Sequence, residues 1–293
     1  MRRRHQNFPF SQMRVSERKD CLQSLPSGSI LDKTLFCQFS IFHCQFSFVS
    51  LWDTLQAQMG MKKRLVVFTG AGVSADSGIA TFRDSDGLWA NYRIEDVCTP
   101  EALVRNRAQV VEFYNIRRRE VMSKEPNAGH LALAALEEHF NVDVITQNID
   151  NLHERAGSSR VLHLHGEVMK LRSERNPNLI VPIDTWEQPL DAVGPDGALL
   201  RPHIVFFGES VPNFDRATEI AAEADLMVVV GSSLAVYPAA SLVRYVRPEV
   251  PVFLVDPHLP AGHGIRNLKE YIPMRSAEGT PLLVEKLIRE YKN

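Results

Sequence analysis

The sequence predicts an α/β protein: an open parallel sheet with helices on both faces. Four short apolar runs have the composition of strands that are buried on both sides. These runs are residues 65–69, 142–146, 226–230 and 252–255. Helix-like segments separate them, and strands that alternate with helices favour a parallel sheet covered on both faces.

The helices are predicted from apolar spacing and end signals. Asn127 is a candidate N-cap for a helix over residues 127–139. The other predicted helices are residues 215–224, 239–246 and 281–291. Residues 167–200 interrupt the alternation because they are loop-like and rich in Pro and Gly. We expect them to form a smaller inserted module together with residues from about 84 to 126.

The first 60 residues differ in character from the rest. They begin with a basic stretch and include a Phe-rich segment that polar residues interrupt, too short and polar for a membrane span. We expect a disordered extension or a misassigned start, followed by a catalytic domain over residues 61–293. A mis-assigned start would place the beginning of the domain near Met59 or Met61.

Composition narrows the class of protein. Hydrophobic residues make up 44% of the 293 residues, enough for a sizeable core, and the net charge is -2. This charge gives no global attraction to nucleic acid or membranes. The four cysteines form no C-x-x-C pair, which favours free thiols in a reducing compartment and a cytoplasmic location. We expect a monomer with no membrane and no specific nucleic-acid partner.

A glycine-rich turn follows the first predicted strand, with Gly70, Ala71, Gly72 and Ser74 in sequence order. Glycines at such a turn let backbone N–H groups approach a phosphate. Taken alone, the pattern is equally typical of a plain strand-to-helix turn. Phe82 and Arg83 follow soon after, and an isolated arginine there is more often a surface residue than a phosphate partner.

Polar residues also follow the second predicted strand. Gln147, Asn148 and Asp150 could hold a ribose or an amide, although such residues more often only cap a helix. His163 and His165 come next, on the same face if the segment is a strand. Each is a candidate general base, yet taken singly each is more often a structural histidine.

A fourth motif begins at Arg201 and runs through Val205, Phe206, Phe207, Gly208 and Glu209. Its extended pattern could present an edge to a peptide, or be no more than a strand. Gly231, Ser232 and Ser233 follow the third predicted strand, and Asp256 follows the fourth. Ligands of such sheets bind beyond the carboxyl ends of the strands, where these polar clusters fall.

Taken together and in this order, the motifs resemble those of the sirtuin family. The matching segments are GAGVSADSGIATFRD, TQNIDNLHERAG, HLHGE, RPHIVFFGE and GSSLAVYPAA. The resemblance extends over residues 62–293 and not over residues 1–60. It implies a Rossmann-like domain that binds NAD, a smaller module, and an acyl-lysine peptide bound in the cleft between them.

The resemblance implies a role for each cluster. Gly70, Ala71, Gly72 and Ser74 are expected around the NAD phosphates, with Phe82 and Arg83 closing over the ribose and phosphates. Gln147, Asn148 and Asp150 are expected at the ribose and the nicotinamide amide. Gly231, Ser232 and Ser233 are expected at the phosphate and adenosine side, and Asp256 at the adenine ribose, where many sirtuins have Asn. The segment from Val205 to Glu209 is expected to bind the peptide.

The implied reaction removes an acyl group from a protein lysine and consumes NAD, giving nicotinamide and O-acyl-ADP-ribose. A ribose hydroxyl must lose a proton during this reaction. His165 is the implied base, rather than His163, because it directly precedes Gly166. Asn148 and Asp150 are the other catalytic candidates. Alternative functions are NAD cleavage without an acyl acceptor, mono-ADP-ribosyl transfer, and a non-catalytic NAD-binding module.

The sequence departs from the family in one respect. Most sirtuins hold a structural zinc through four cysteines, which would lie here between His165 and Arg201, and this chain has none there. We therefore predict no zinc, and a module that lacks the usual zinc ribbon and is held by packing and Pro-rich loops.

A second feature concerns the acyl group. Tyr114 and Arg117 are three residues apart in a helix-like segment, so they share a face. They are similar to the Tyr-x-x-Arg pair of bacterial and mitochondrial-type sirtuins that prefer succinyl, malonyl or glutaryl groups. Arginine binds a carboxylate through two parallel bonds. Cys98 stands where that subgroup has Ala. We expect acidic-acyl removal as well as deacetylation, whereas composition alone would favour a solvated arginine-rich helix.

Overall fold

The computed structural model describes residues 62–80, 92–260 and 262–292. The predictions for residues 1–60, and those for Phe82 and Arg83, lie outside the described residues.

Two sheets form the framework of this part of the chain. Its strands are β1 Arg64–Thr69, β2 Asn141–Thr146, β3 Val161–His163, β4 Gly166–Ser173, β5 Ile180–Pro182, β6 Leu200–Ile204, β7 Leu226–Val230, β8 Val252–Val255 and β9 Leu268–Ile272. The large sheet has six parallel strands in the order β3-β2-β1-β7-β8-β9. The small sheet is antiparallel, in the order β5-β4-β6.

The central strand β1 explains why the apolar runs of the large sheet are continuous. Val66 and Phe68 belong to the apolar cluster on one face of the sheet, and Leu65 and Val67 belong to the cluster on the other. All four side chains have no exposed surface. A strand covered on both faces has no polar side, so its sequence does not alternate.

Helices cover the sheets and connect the strands. They are α1 Gly72–Ala75, α2 Ile94–Val97, α3 Pro100–Arg105, α4 Arg107–Met122, α5 Ala128–Ala135, α6 Leu152–Arg155, α7 Phe214–Ala222 and α8 Ser276–Tyr291, with 3-10 helices at Leu136–Glu138 and Ala239–Arg244. Across the described ranges, no helix combines the length and the apolar content needed to cross a bilayer.

The predicted α/β fold is confirmed, including all four predicted strands. Asn127 caps α5, since its side chain accepts a hydrogen bond from the N–H of Gly129. Residues 239–246 were expected to be an ordinary helix, but they form a 3-10 helix that ends at Arg244.

Helix α8 begins five residues before the predicted start and contains Pro281. Its first turn packs closely on the large sheet, because a Cβ added at Gly279 would lie 2.7 Å from Val255 Cγ1. The N–H of Ala277 also donates to Asp76. These long-range contacts outweigh the local signal of a proline.

The sequence predicted that residues 167–200 are loop-like. The structure differs, because these residues include most of β4 and all of β5. Pro182 ends β5, which is an edge strand and so tolerates a residue without an N–H. Prolines and glycines around these strands conceal their pattern in the sequence. The predicted module boundaries, 84–126 and 167–200, stay predictions, and residues 84–91 lie outside the described ranges.

Candidate functional site

A cavity of about 870 Å³ opens at the carboxyl ends of the large sheet's parallel strands and extends to the small sheet. Its volume is within the range of ligand sites. Every predicted site residue within the described ranges lines it: Gly70, Ala71, Gly72, Ser74, Cys98, Tyr114, Arg117, Gln147, Asn148, Asp150, His165, Val205, Phe206, Phe207, Gly208, Glu209, Gly231, Ser232, Ser233 and Asp256. Residues distant in sequence therefore share one cavity.

Three glycines form the corner where β1 and β7 end. The N–H of Gly72 donates to the carbonyl of Gly231 at 2.9 Å, and Gly231 has a positive φ of 60°. A Cβ on Gly70 would lie 2.7 Å from the Gly231 oxygen, and a Cβ on Gly231 would lie 2.3 Å from Val73 N. Only glycine allows this approach, which leaves the corner as bare backbone.

A buried polar network lies beside this corner. The hydroxyl of Ser74 donates to Asp150 at 3.0 Å and accepts from the Asn148 side chain at 3.0 Å. Asp150 Oδ1 accepts from the N–H of Leu152. Burial raises the pKa of Asp150, although the bonds from Leu152 and Ser74 oppose the shift. The network holds these polar groups in fixed positions on the cavity wall.

The ends of β2 and β7 are joined by side chains, and β8 ends in a turn at the cavity. Gln147 Nε2 donates to the hydroxyl of Ser232 at 2.9 Å. Asp256 follows β8, and its carboxylate accepts from the N–H of His258 at 2.9 Å. Asp256 therefore stabilises the turn that follows its strand while lying on the cavity wall.

The two histidines of the HLHG motif have different surroundings. His165 is half-buried and lines the cavity, and its Nδ1 bonds to the carbonyl of Gln147 at 2.9 Å. A carbonyl only accepts, so Nδ1 carries the proton and the neutral ring offers its lone pair at Nε2. Burial lowers the pKa of His165, with partial opposition from that hydrogen bond.

His163 is buried and has partners at both nitrogens. Nδ1 bonds to the carbonyl of Asn148, and Nε2 bonds to Glu154, both at 2.8 Å. Burial lowers the pKa of His163, but the carboxylate of Glu154 outweighs it, so the pKa is raised overall. The geometry therefore separates a structural histidine from the one that faces the cavity.

Sequence reasoning missed two further histidines behind the polar network. His130 Nε2 lies 3.4 Å from the Ser74 hydroxyl, and His153 Nε2 lies 3.0 Å from the Thr69 hydroxyl. Their rings meet edge to face, with centroids 4.9 Å apart. Burial lowers the pKa of His130 to about 4 and that of His153 well below its usual value. His153 ends the TQNIDNLH segment, which was the one available signal.

The far end of the cavity is walled by α4 and by the segment before α3. Cys98 Sγ and the Tyr114 hydroxyl are 3.5 Å apart, and the Tyr114 ring stacks on Phe206 with centroids 5.9 Å apart. Burial raises the pKa of Cys98 to about 11, so the thiol is neutral. The guanidinium of Arg117 supplies a positive charge in this largely apolar region.

The segment after β6 is held by its own backbone and by one carboxylate. The N–H groups of Val205 and Phe207 donate to the carbonyls of His165 and Cys98, each at 2.9 Å. Glu209 accepts from Arg201 at 2.6 Å, and it also bonds to Arg172 and to the N–H of Phe206. These contacts lock the segment predicted to bind a peptide.

No group of three or more His, Cys, Asp or Glu side chains in the described residues is arranged to hold a metal ion. Cys98, the one cysteine in these ranges, is buried and free.

The fold and the cavity define the class: a Rossmann-like α/β protein with its ligand site at the carboxyl ends of parallel strands. The model of the Sir2 family matches residues 70–238, which is more than half of the chain. The chain belongs to the Sir2 family.

Similar proteins agree with this assignment. An NAD-dependent protein deacylase of Aggregatibacter actinomycetemcomitans is 53% identical over 198 residues, which cover 68% of this chain and 95% of the relative. One from Bacteroides thetaiotaomicron is 48% identical over 231 residues, covering 77% and 98%. The crystal structure of a Sir2 homologue–NAD complex is 35% identical with a TM-score of 0.70, covering 81% of this chain and 94% of that chain.

Proposed function

We propose that the protein is an NAD-dependent protein lysine deacylase. The observation that carries this proposal is the shared cavity, in which the glycine corner, the polar network and His165 lie together. The relatives named as NAD-dependent protein deacylases and the NAD complex of a solved homologue support it.

The cavity fits NAD in its residues and shape. The bare backbone at Gly70, Gly72 and Gly231 admits phosphates, and the hydroxyls of Ser232 and Ser233 lie beside it. Asp256 suits ribose hydroxyls, because a carboxylate accepts from both. Phe82 and Arg83 are proposed to close over the same ligand.

The other end of the cofactor requires amide and hydroxyl partners, which Gln147, Asn148 and Asp150 offer. The bonds of Ser74 to Asn148 and Asp150 orient both side chains before any ligand binds. When bound, NAD supplies an electrophilic ribose carbon and nicotinamide as leaving group.

His165 is proposed as the general base. Its Nδ1–H is fixed on the carbonyl of Gln147, which leaves Nε2 to accept the proton of a ribose hydroxyl. The lowered pKa keeps the ring neutral at pH 7, the form that a base requires. Activity should therefore decline only below the ordinary histidine pKa of about 6.5.

Single-turnover deacylation of an acetyl-lysine peptide, with and without NAD, tests the proposal. We expect NAD-dependent removal, and a loss of about 10²–10⁴-fold in His165→Ala, since a positioned base contributes that much. NAD binding, followed by calorimetry, should be largely retained in that variant. Unchanged turnover in His165→Ala would exclude it as the base, and no turnover in the wild type would refute the deacylase.

We further propose that acidic acyl groups are preferred. The Arg117 guanidinium and the Tyr114 hydroxyl line the same end of the cavity and can donate to an acyl carboxylate. Arg117→Met keeps an apolar stem and removes the donors. We expect the ratio of succinyl to acetyl removal to fall about tenfold or more, because a charge-assisted pair is lost. An unchanged ratio would leave a deacetylase without acidic preference.

A further inference from the structure

Helix α4 places a carboxylate against the guanidinium at the acyl end of the cavity. Glu120 Oε2 accepts from Arg117 Nη1 at 2.7 Å. The two residues are three positions apart, so both lie on one face of the helix. The Arg117 side chain is 8% exposed and that of Glu120 is 23% exposed. Solvent therefore screens this pair less than an ordinary surface ion pair.

The two partners differ in their relation to the cavity. Arg117 lines it, whereas Glu120 does not line it and bonds to the guanidinium. An acyl carboxylate that reaches Arg117 thus meets a guanidinium whose positive charge is partly balanced by Glu120. An acyl carboxylate bound to Arg117 would share the guanidinium with the carboxylate of Glu120, and two like charges at one guanidinium repel each other. A neutral acyl group such as acetyl meets neither effect.

We infer that Glu120 is a specificity-determining residue that limits the preference for acidic acyl groups by acting on Arg117. This inference rests on the proposed deacylase function and on the acyl role of Arg117. Glu120 touches no substrate in this arrangement. It sets how much positive charge the cavity presents, and therefore the range of acyl-lysine substrates.

A second role of Glu120 has to be separated from its charge, because the carboxylate also orients the guanidinium. Glu120→Gln makes this separation, since the amide oxygen can still accept from Arg117 Nη1 while the negative charge is gone. Glu120→Ala removes both the charge and the hydrogen bond. If Glu120 only orients the guanidinium, Glu120→Gln should leave succinyl removal unchanged and Glu120→Ala should lower it.

The experiment measures kcat and KM for matched succinyl-lysine and acetyl-lysine peptides with the full chain and saturating NAD. In Glu120→Gln we expect kcat/KM for the succinyl peptide to rise about fivefold relative to the acetyl peptide, mainly through KM. Glu270→Gln is the matched control. It removes one negative charge from a partly exposed ion pair with Lys286, and Glu270 does not line the cavity.

Three results would overturn the inference: an unchanged succinyl-to-acetyl ratio in Glu120→Gln, a lower ratio, or an equal rise in the Glu270→Gln control. If one of these results is found but the wild type turns over either peptide, the Glu120 inference fails and the deacylase proposal stands. If the wild type turns over neither peptide, that proposal fails, and equilibrium binding of the succinyl peptide decides the inference. About fivefold tighter binding by Glu120→Gln supports it, and equal binding refutes it.

Discussion

The two sheets in the described part of the chain are held by different kinds of contact. The large sheet is enclosed by apolar clusters on both faces, and its central strand is buried from Leu65 to Thr69. The small sheet shares an apolar cluster with α4, but polar side chains of that helix also bond to its backbone. Arg118 donates to the carbonyls of Val168 and Trp186, at 2.8 and 2.7 Å.

Further bonds from α4 follow the same pattern. Asn115 donates to the carbonyl of Gln188 at 3.2 Å and accepts from the N–H of Gln188 at 2.9 Å. Gln188 in turn donates to the carbonyl of Leu200 at 2.8 Å. Arg107 reaches the carbonyl of Leu190 at 3.1 Å. The helix is thereby tied to the first half of the segment that joins β5 to β6, and Gln188 ties that half to the start of β6.

The comparison teaches that the two regions should fail differently. Apolar burial is non-directional and scales with area, so the large sheet resists small shifts in geometry. Hydrogen bonds fix direction and distance, so the small sheet depends on a few donors in α4. That helix also carries Tyr114 and Arg117, so loss of a donor should disturb the acyl end of the cavity before the NAD end.

The largest expected effect concerns His130 and His153, which are buried titratable side chains beside the large sheet. Burial lowers the pKa of His130 from 6.5 to about 4. Between these pH values the histidine is protonated in the unfolded chain and neutral in the folded chain. The contribution of neutral His130 to the free energy of unfolding is therefore complete above about pH 6.5 and is lost as the pH falls from 6.5 to 4. The shift corresponds to up to about 3 kcal/mol. Urea unfolding at several pH values measures it.

The variant His130→Gln sharpens this test. Glutamine can still accept the N–H of Asn127, which bonds to His130 Nδ1 at 3.3 Å, so the helix cap survives while the titrating group is removed. We expect a shallower loss of stability between pH 6.5 and 4 than in the wild type. His139→Gln, at a half-exposed position shortly after α5, is the matched control. Parallel pH profiles for His130→Gln and the wild type would refute the assignment.

The same comparison explains what could be predicted from the sequence. The strands of the large sheet were predictable because apolar burial leaves a continuous run, as at Val66 to Phe68. The clustering of Asn148 and Asp150 with Gly231 followed from a general rule, that parallel strands end at one edge.

The parts that could not be predicted depend on long-range polar bonds. The bond of Arg118 to Trp186 joins residues 68 positions apart and leaves no periodicity in the sequence. The pairing of His130 with His153 likewise depends on how α5 and α6 pack. In the sequence, Glu120 is one more charged residue in an arginine-rich segment. Its bond to Arg117 could be recognised only from the structure.

The second-largest expected effect follows from a substitution that removes polar contacts of α4. Arg118 is fully buried, and it donates to three uncharged oxygens, those of Val168, Asn115 and Trp186. Burial lowers the pKa of Arg118 to about 10. Arg118→Met keeps much of the volume and leaves the Val168 and Trp186 carbonyls without this donor. We expect a loss of about 2 kcal/mol, from unsatisfied buried acceptors. Amide exchange should rise most in β4 and β5, and peptide KM should rise more than NAD Kd.

Arg119→Met is the control, because it makes the same charge change on the same helix. Arg119 is exposed and stacks on the Trp186 ring at 3.7 Å, a contact worth about 0.5–1 kcal/mol. Equal losses in the two variants, or an Arg118→Met loss spread evenly over the large sheet, would contradict the comparison. A chelator tests the predicted absence of zinc. If polar bonds hold the small sheet without a metal, the chelator should change neither amide exchange in β4 nor the Tm of the protein. One zinc per chain by metal analysis would mean that a metal also stabilises the small sheet.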